Sequence, residues 1–312
     1  PPEVLAVEDV DVPVPRADEV LIRQHATTVT AADCMMRRGD SLMGRALLGF
    51  FRPRRRYRIM GIELAGEVVD VGAKVTRFRR GDRVFGFAGF SVGCYAQYNR
   101  LPQDASLAIM PAGLGFEEAA AIVDGGTTAL FFLHDLARIQ KGDRVLVVGA
   151  SGSIGTSAVQ VASRAGAEVT AVCSGRNADL VGSLGAARSI DYTREDFTQP
   201  GEKYDVIFDT VGKSSFAHCR DCLTDDGRFL TTVGGLSEYL RTFWTAAFGR
   251  RKFVFGMSIK KDRSLQTLKE MVESGAFVPV IDRRYTLEQI VDAHRYVEAG
   301  RKRGNVVVAV QH

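Results

Sequence analysis

Val145-Leu146-Val147-Val148-Gly149-Ala150-Ser151-Gly152-Ser153-Ile154-Gly155 is the stretch on which the reading of this 312-residue chain turns. Its first four residues are apolar without alternation, as in a strand buried on both faces of a parallel sheet. A turn of small residues follows, and Ala158-Val159-Gln160-Val161-Ala162 continues as a helix. Ala150, Gly152 and Gly155 occupy the three positions of the G-x-G-x-x-G spacing, with Ala at the first. Gly152 lets backbone approach a pyrophosphate, and Gly155 lets the helix pack close to the strand. The helix start offers free N–H groups and a positive dipole end to phosphates. In this strand–turn–helix context the spacing reads as a dinucleotide cradle. A tight turn without a ligand is the alternative.

The next strand, Glu168-Val169-Thr170-Ala171-Val172, ends in Cys173-Ser174-Gly175-Arg176-Asn177. An NAD site places Asp or Glu there to hold the ribose 2′-hydroxyl. Here Ser174 offers a hydrogen bond and Arg176 a permanent charged fork, which favours the 2′-phosphate of NADPH. A merely solvated arginine is the alternative. The missing acid also weakens a methyltransferase reading.

Outward from this core, residues 115–258 alternate buried strands with amphipathic helices, including Tyr204–Asp209 and Arg228–Thr231 as strands. That rhythm predicts an α/β fold with a parallel sheet covered on both faces. Residues 1–110 instead carry short apolar runs separated by turn signals such as Gly39-Asp40 and Gly81-Asp82, which predicts a β-rich, barrel-like unit of short antiparallel strands. Helices are expected over Leu265–Glu273 and Leu287–Ala299, with a terminal strand at Val306–Val310.

Composition narrows the class. Net charge is +4, which suits anionic small molecules better than a nucleic-acid surface. The arginine-rich stretch Arg52–Arg58 reads as a solvated loop, or as a mouth that attracts an anionic ligand. No apolar run approaches the ~20 residues that span a bilayer. Five scattered cysteines argue for a reducing, cytoplasmic setting rather than a disulfide framework.

These residues resemble the medium-chain dehydrogenase/reductase superfamily, in its zinc-free quinone oxidoreductase (ζ-crystallin-like) branch. The likeness runs through Pro2-Glu3-Val4-Leu5, Glu19-Val20-Leu21-Ile22-Arg23, Gly61-Ile62-Glu63-Leu64-Ala65-Gly66-Glu67-Val68 and Gly81-Asp82-Arg83-Val84-Phe85-Gly86. It continues through Tyr95-Ala96-Gln97-Tyr98, Glu118–Ala121, Thr128-Ala129, the Gly149–Gly155 turn and Gly304-Asn305-Val306-Val307. The resemblance implies a discontinuous GroES-like catalytic domain, residues 1–113 and 259–312, around a Rossmann NADPH-binding domain, residues 114–258. Relatives begin with a further strand before Pro2, so residues upstream are expected.

By position, the resemblance puts Gly149, Ser151, Gly152, Ser153, Ile154 and Gly155 around the pyrophosphate. Ser174, Arg176, Asn177 and Tyr192 fall around the adenosine 2′-phosphate. Thr128, Val211, Gly212, Val233, Gly234, Phe255, Gly256 and Met257 line the nicotinamide end, and Asn305 is a late NADPH contact. It also implies a homodimer paired through the edge strand in Lys252–Met257.

Zinc-dependent relatives carry His in a Gly-His-Glu motif, where this chain has Gly61-Ile62-Glu63, and Ile ligates nothing. Cys34 is displaced from the early ligand position, and the four-cysteine lobe is missing. The Cys219/Cys222 pair has no second pair to complete a site. Without a Lewis acid, an isolated carbonyl is a poor hydride acceptor, whereas an enone or quinone spreads the developing charge to a distant oxygen. Quinones and α,β-unsaturated carbonyls are therefore the expected small-molecule substrates. Tyr57 is the first candidate for a hydrogen bond to the substrate oxygen. Asp33 and Thr30 are further candidates, although Asp33 equally suits a helix cap. A 2-enoyl thioester reductase, a zinc-free alcohol dehydrogenase and a non-catalytic, crystallin-like NADPH-binding protein are the alternatives.

Overall fold

The longest strand, β1 (Glu19–Thr28), shows how the first unit is built. Val20 and Ile22 point to one face and pack with Leu64, Val68, Val84, Leu101 and Leu107. The computed structural model describes residues 1–40, 49, 54, 57–199 and 201–312. These fall into two units, Pro1–Asp124 with Lys260–His312, and Gly125–Ile259.

The first unit holds β1, β2 (Glu63–Val71), β3 (Arg83–Phe87), β4 (Tyr98–Pro102), β5 (Ser106–Ile109), β12 (Ile281–Thr286) and β13 (Asn305–Ala309). Their order is β12-β13-β1-β2-β3-β5, and β4 also pairs with β1. All neighbours are antiparallel except β12 and β13. The two central strands are longer than the expected short ones. Register shifts at Leu21/Ile22 and Gln24/Ala26 let β1 curve and keep pairing along β2. Helices α1 (Ala31–Arg38), α2 (Phe116–Ala121), α8 (Asp262–Glu273) and α9 (Ile290–Glu298) complete the unit.

The chain passes through α3 (Val123–Leu130) and one π-helical turn, Phe131–Leu136, into the second unit. There β6 (Arg144–Val148), β7 (Glu168–Cys173), β8 (Arg188–Asp191), β9 (Tyr204–Asp209), β10 (Leu223–Thr231) and β11 (Lys252–Phe255) form one sheet. Every neighbouring pair is parallel, in the order β11-β10-β9-β6-β7-β8. This is the strand order of a doubly wound dinucleotide fold. The interior strands are buried along their apolar runs; Val145, Leu146 and Val147 are fully covered. Connections run through α4 (Ser153–Arg164), α5 (Ala178–Ser183), α6 (Phe216–Cys219) and α7 (Leu236–Phe248).

The outer edge of β11 is already occupied. The Phe253 and Phe255 N–H groups donate to the Thr245 and Thr242 hydroxyls of α7, both at 3.0 Å. The Thr245 hydroxyl also lies 3.2 Å from the Phe253 carbonyl. A helix laid over an edge in this way removes the free amides that a partner strand would need. In this conformation α7 thus engages the Phe253 and Phe255 amides of the Lys252–Met257 stretch through which a dimer is expected.

Candidate cofactor and active site

The turn after β6 is shaped by two different demands. Gly149 has φ +78°, and a side chain there would drive into Val211, 2.6 Å from its Cγ1. Gly155 lies so close to the turn that a Cβ would sit 2.1 Å from the Gly149 carbonyl oxygen. Gly152 differs from both. Its φ is −82° and a Cβ would meet only that same oxygen, at 3.5 Å. Nothing within the protein calls for glycine at 152, yet a Cβ would fill space in front of the helix start. That is what a cradle for a closely approaching phosphate looks like. Gly152 is the N-cap of α4 and has no side chain to cap it, so the first amides of Ser153, Ile154 and Gly155 form the open helix end.

The remaining residues named from sequence in this unit gather at the carboxyl ends of the same sheet. Ser151 and Ser174 are tied together by Asn177, whose Nδ2 donates to both hydroxyls at 2.9 and 3.2 Å. Asn177 is thus a buried brace between the turn and the end of β7, while Arg176 and Tyr192 project into solvent. Register sets Cys173 beside Asp191, which brings a carboxylate that sequence reasoning overlooked to the end of β7. Asp191 is occupied by Thr193, through its hydroxyl at 2.7 Å and its N–H at 3.0 Å, and these bonds hold its pKa below the usual carboxylate range.

Val211, Gly212 and Val233 form a contiguous line with Gly149: a Cβ on Gly212 would meet Val233 at 2.9 Å. Asp209, also missed, builds this ledge. Its buried carboxylate accepts from the Val211 and Gly212 amides at 3.0 and 2.9 Å and from Ser214. The signal was present as an Asp at a strand end before Thr-Val-Gly, which favours an Asx turn. Gly234, Phe255, Gly256 and Met257 follow at the ends of β10 and β11, and Gly256 abuts Phe131 and Leu136. Thr128 is buried on α3, whose Gly125 lies against Ser153 at the start of α4.

In the first unit, Thr30 and Asp33 form a capping box at the start of α1. The Thr30 hydroxyl donates to Asp33 Oδ2 at 2.6 Å and accepts from the Asp33 N–H at 3.1 Å. Full burial pushes the Asp33 carboxyl up to about 6, against the pull of the Thr30 hydrogen bonds. Tyr57 is buried beside Ile62 and Val92, with Met36 and Phe87 packed on them. An apolar cluster thus surrounds the position where relatives carry His. Asn305 opens β13, and its side-chain amide donates to the Val280 carbonyl at 3.1 Å. Of the Arg52–Arg58 stretch, residues 52, 53, 55 and 56 lie outside the described residues.

Sequence reading did not pick out the polar cluster beneath this region. Glu63 accepts from the Thr28 hydroxyl and the Asp124 N–H, and the buried Lys261 Nζ is 2.9 Å from Asp124. Burial and the neighbouring Asp124 carboxylate push Glu63 up to about 8. Among the described residues no group of three His, Cys, Asp or Glu side chains converges as a metal-ligand set would.

Comparison with known proteins places this arrangement. Residues 16–112 match the alcohol dehydrogenase GroES-like domain and residues 184–308 the zinc-binding dehydrogenase family. The chloroplast envelope quinone oxidoreductase homolog of Arabidopsis thaliana is 30% identical, over 96% of this chain and 92% of that protein. The 2-methylene-furan-3-one reductase of Solanum lycopersicum is also 30% identical, over 98% and 76%. A solved structure of the quinone oxidoreductase from Coxiella burnetii superposes with a TM-score of 0.89 at 29% identity, covering 100% of this chain and 96% of that one.

The chain belongs to the medium-chain dehydrogenase/reductase superfamily, in its quinone oxidoreductase-like branch. The branch is one of nicotinamide-dependent oxidoreductases, and the parallel six-stranded sheet with a β-rich GroES-like unit is its fold. For this medium-chain reductase, Ile62 leaves the Gly-x-Glu motif without the histidine that a catalytic zinc would use.

Proposed function

We propose that this protein is an NADPH-dependent, zinc-independent reductase of quinones or α,β-unsaturated carbonyls. Gly152 carries the reading: a glycine that its own fold does not require, at an open helix start. Bound NADPH would supply a hydride to the acceptor. The α4 amides and Ser151 would hold its pyrophosphate, and Asn177 would keep Ser151 and Ser174 in place for that task. Arg176 and Tyr192 would receive the 2′-phosphate. Asp191 disfavours a second negative charge nearby, but its hydrogen bonds to Thr193 commit it to its own loop. The ledge of Val211, Gly212 and Val233, fixed by Asp209, would keep the nicotinamide end dry.

The acceptor class rests on Ile62. With an apolar residue there, no metal polarises an isolated carbonyl, and a conjugated acceptor lets charge spread to an oxygen further away. A relative named for reducing a methylene-furanone, an exocyclic enone, supports this choice. The first unit would be the catalytic domain, with Tyr57 as the donor to the acceptor oxygen and Asp33 and Thr30 as polar neighbours. Their capping box gives the latter two a structural role as well.

The test is to follow loss of NADPH absorbance with quinones, enones, enoyl thioesters and aldehydes. Turnover with the first two classes is expected. Turnover only with enoyl thioesters, or none at all despite tight NADPH binding, overturns the reading. Arg176→Ala should weaken NADPH at least tenfold and leave NADH unchanged; equal weakening of both removes the 2′-phosphate assignment.

A further inference from the structure

Thr30 has one hydroxyl hydrogen, and in the capping box of α1 that hydrogen is turned inward. The hydroxyl donates to Asp33 Oδ2 at 2.6 Å and accepts from the Asp33 N–H at 3.1 Å. Asp33 Oδ2 also accepts from the Thr30 N–H at 2.9 Å. At 2.6 Å the two oxygens are as close as a hydroxyl and a carboxylate come. An ordinary cap acid sits at the surface, where water meets its second oxygen. Asp33 is instead fully buried, and its Oδ1 has no hydrogen-bond partner. The Tyr95 hydroxyl is buried without one as well, yet it lies near enough to draw the Asp33 pKa down.

An ionised carboxylate can only accept, whereas a protonated one has a hydrogen to give. The capping box fits both states with no heavy atom displaced. With Asp33 ionised, the Thr30 hydrogen is committed to it. With Asp33 protonated on Oδ2, that O–H takes over the short bond, Thr30 Oγ accepts twice, and the Thr30 hydrogen turns away from Asp33. A Tyr95 hydroxyl donating to Oδ1 keeps that oxygen an acceptor and so leaves the proton to Oδ2. Thr30 stands at the rim of its unit: the next two residues, Ala31 and Ala32, are exposed. Met36, one turn on from Asp33 along α1, packs against the cluster that holds Tyr57.

We propose that Asp33 is a proton-operated latch on Thr30: once protonated, it frees the Thr30 hydroxyl to donate to the oxygen of the bound acceptor, beside Tyr57, while Tyr95 fixes which carboxyl oxygen carries the proton. The proposal rests on the reductase reading. The acceptor oxygen is negative once hydride has added to the conjugated system. It takes the Thr30 hydrogen, and the Asp33 Oδ2 hydrogen moves to Thr30 Oγ. After the product leaves, Asp33 recovers a proton from water through the same hydroxyl. One proton is consumed for each hydride. Thr30 is then the catalytic residue, and Asp33 and Tyr95 are positioning residues. The titratable groups that face Asp33 are Tyr95 and Cys94 ahead of β4, Glu63 on β2, Asp124 at the start of α3 and Cys34 on α1 itself. All are acids, so their charges favour the protonated carboxyl; the Tyr95 and Thr30 hydrogen bonds pull the other way.

The test is the pH profile of kcat with an enone or quinone that the wild type reduces. Asp33 titrates at about 6, so kcat should rise at least tenfold as pH falls through that value, with KM little changed. Thr30→Val should hold kcat at the high-pH level throughout, and Thr30→Ser, which keeps the hydroxyl, should restore the slope. Tyr95→Phe removes a bond that favours the carboxylate, so it should move the inflection to higher pH. An unchanged slope in Thr30→Val, or an unmoved inflection in Tyr95→Phe, overturns the proposal; the second decides alone if Thr30→Val fails to fold. A carbon-13 titration of the Asp33 carboxyl needs no turnover. There Thr30→Val and Tyr95→Phe should each raise its pKa. If no acceptor is reduced, the reductase reading falls, and an Asp33 pKa that ignores both substitutions overturns the latch separately.

Discussion

Gly152 and Gly155 lie three residues apart in one turn, and the structure asks opposite things of them. A methyl group at 155 meets backbone at 2.1 Å, so Gly155→Ala must push α4 away from the turn. Overpacking of this kind costs on the order of 1–3 kcal/mol, which a denaturant titration will show. Gly152→Ala meets nothing closer than 3.5 Å and should leave that titration unchanged. It should still weaken NADPH binding at least tenfold by isothermal titration. Sequence spacing named both glycines but gave them the same standing. Only the distances separate the one the fold requires from the one it does not.

The capping box of α1 was legible in part as Thr30-Ala31-Ala32-Asp33, a cap residue with an acid three positions on. Thr30→Ala should cost about 1 kcal/mol, the usual worth of such a cap, measured by thermal melting at neutral pH. What the local pattern could not convey is that Asp33 is fully buried. Its pKa is raised from 3.8 to about 6, so the folded state holds this proton more tightly than the unfolded chain does. That contribution to stability is complete below about pH 4 and is lost as pH climbs to about 6. Asp33→Asn, which keeps an acceptor for Thr30, should flatten stability between these limits; an unchanged slope would refute the assignment. The same limit applies to α7, where the pairing of Thr242 and Thr245 with β11 and the exposure of its apolar residues are set by tertiary contacts.

Across the whole molecule, chain segments far apart in sequence meet at Glu63, Asp124 and Lys261. Lys261 and Lys302 both act on the two carboxyls, yet burial and the Asp124 carboxylate outweigh them at Glu63. Asp124 has the Lys261 ammonium at 2.9 Å, and Glu63 holds its proton more tightly than a free carboxyl does. Its raised pKa, from 4.5 to about 8, contributes stability that is lost as pH rises through that window. Glu63→Gln should remove the decline between about pH 4.5 and 8 in chemical denaturation. Burial also raises the thiols, Cys34 and Cys219 to about 12, and no cysteine is paired. Ellman's reagent should therefore titrate no fast thiol in the native protein and five after denaturation.

The sequence by itself determined the α/β class, the parallel sheet and the tight glycine turn between β6 and α4. Each rests on local periodicity or on spacing within a few residues, and backbone geometry acts at that range. It likewise settled that residue 62 is no metal ligand, because side-chain chemistry needs no neighbours to be read. Tertiary structure decided what depends on register and burial: that Asp191 reaches the end of β7, that Asp209 builds the ledge, and that Glu63 keeps a proton. It also decided which face of α7 meets water, since burial is a property of what lies across from a residue and not of the residue itself.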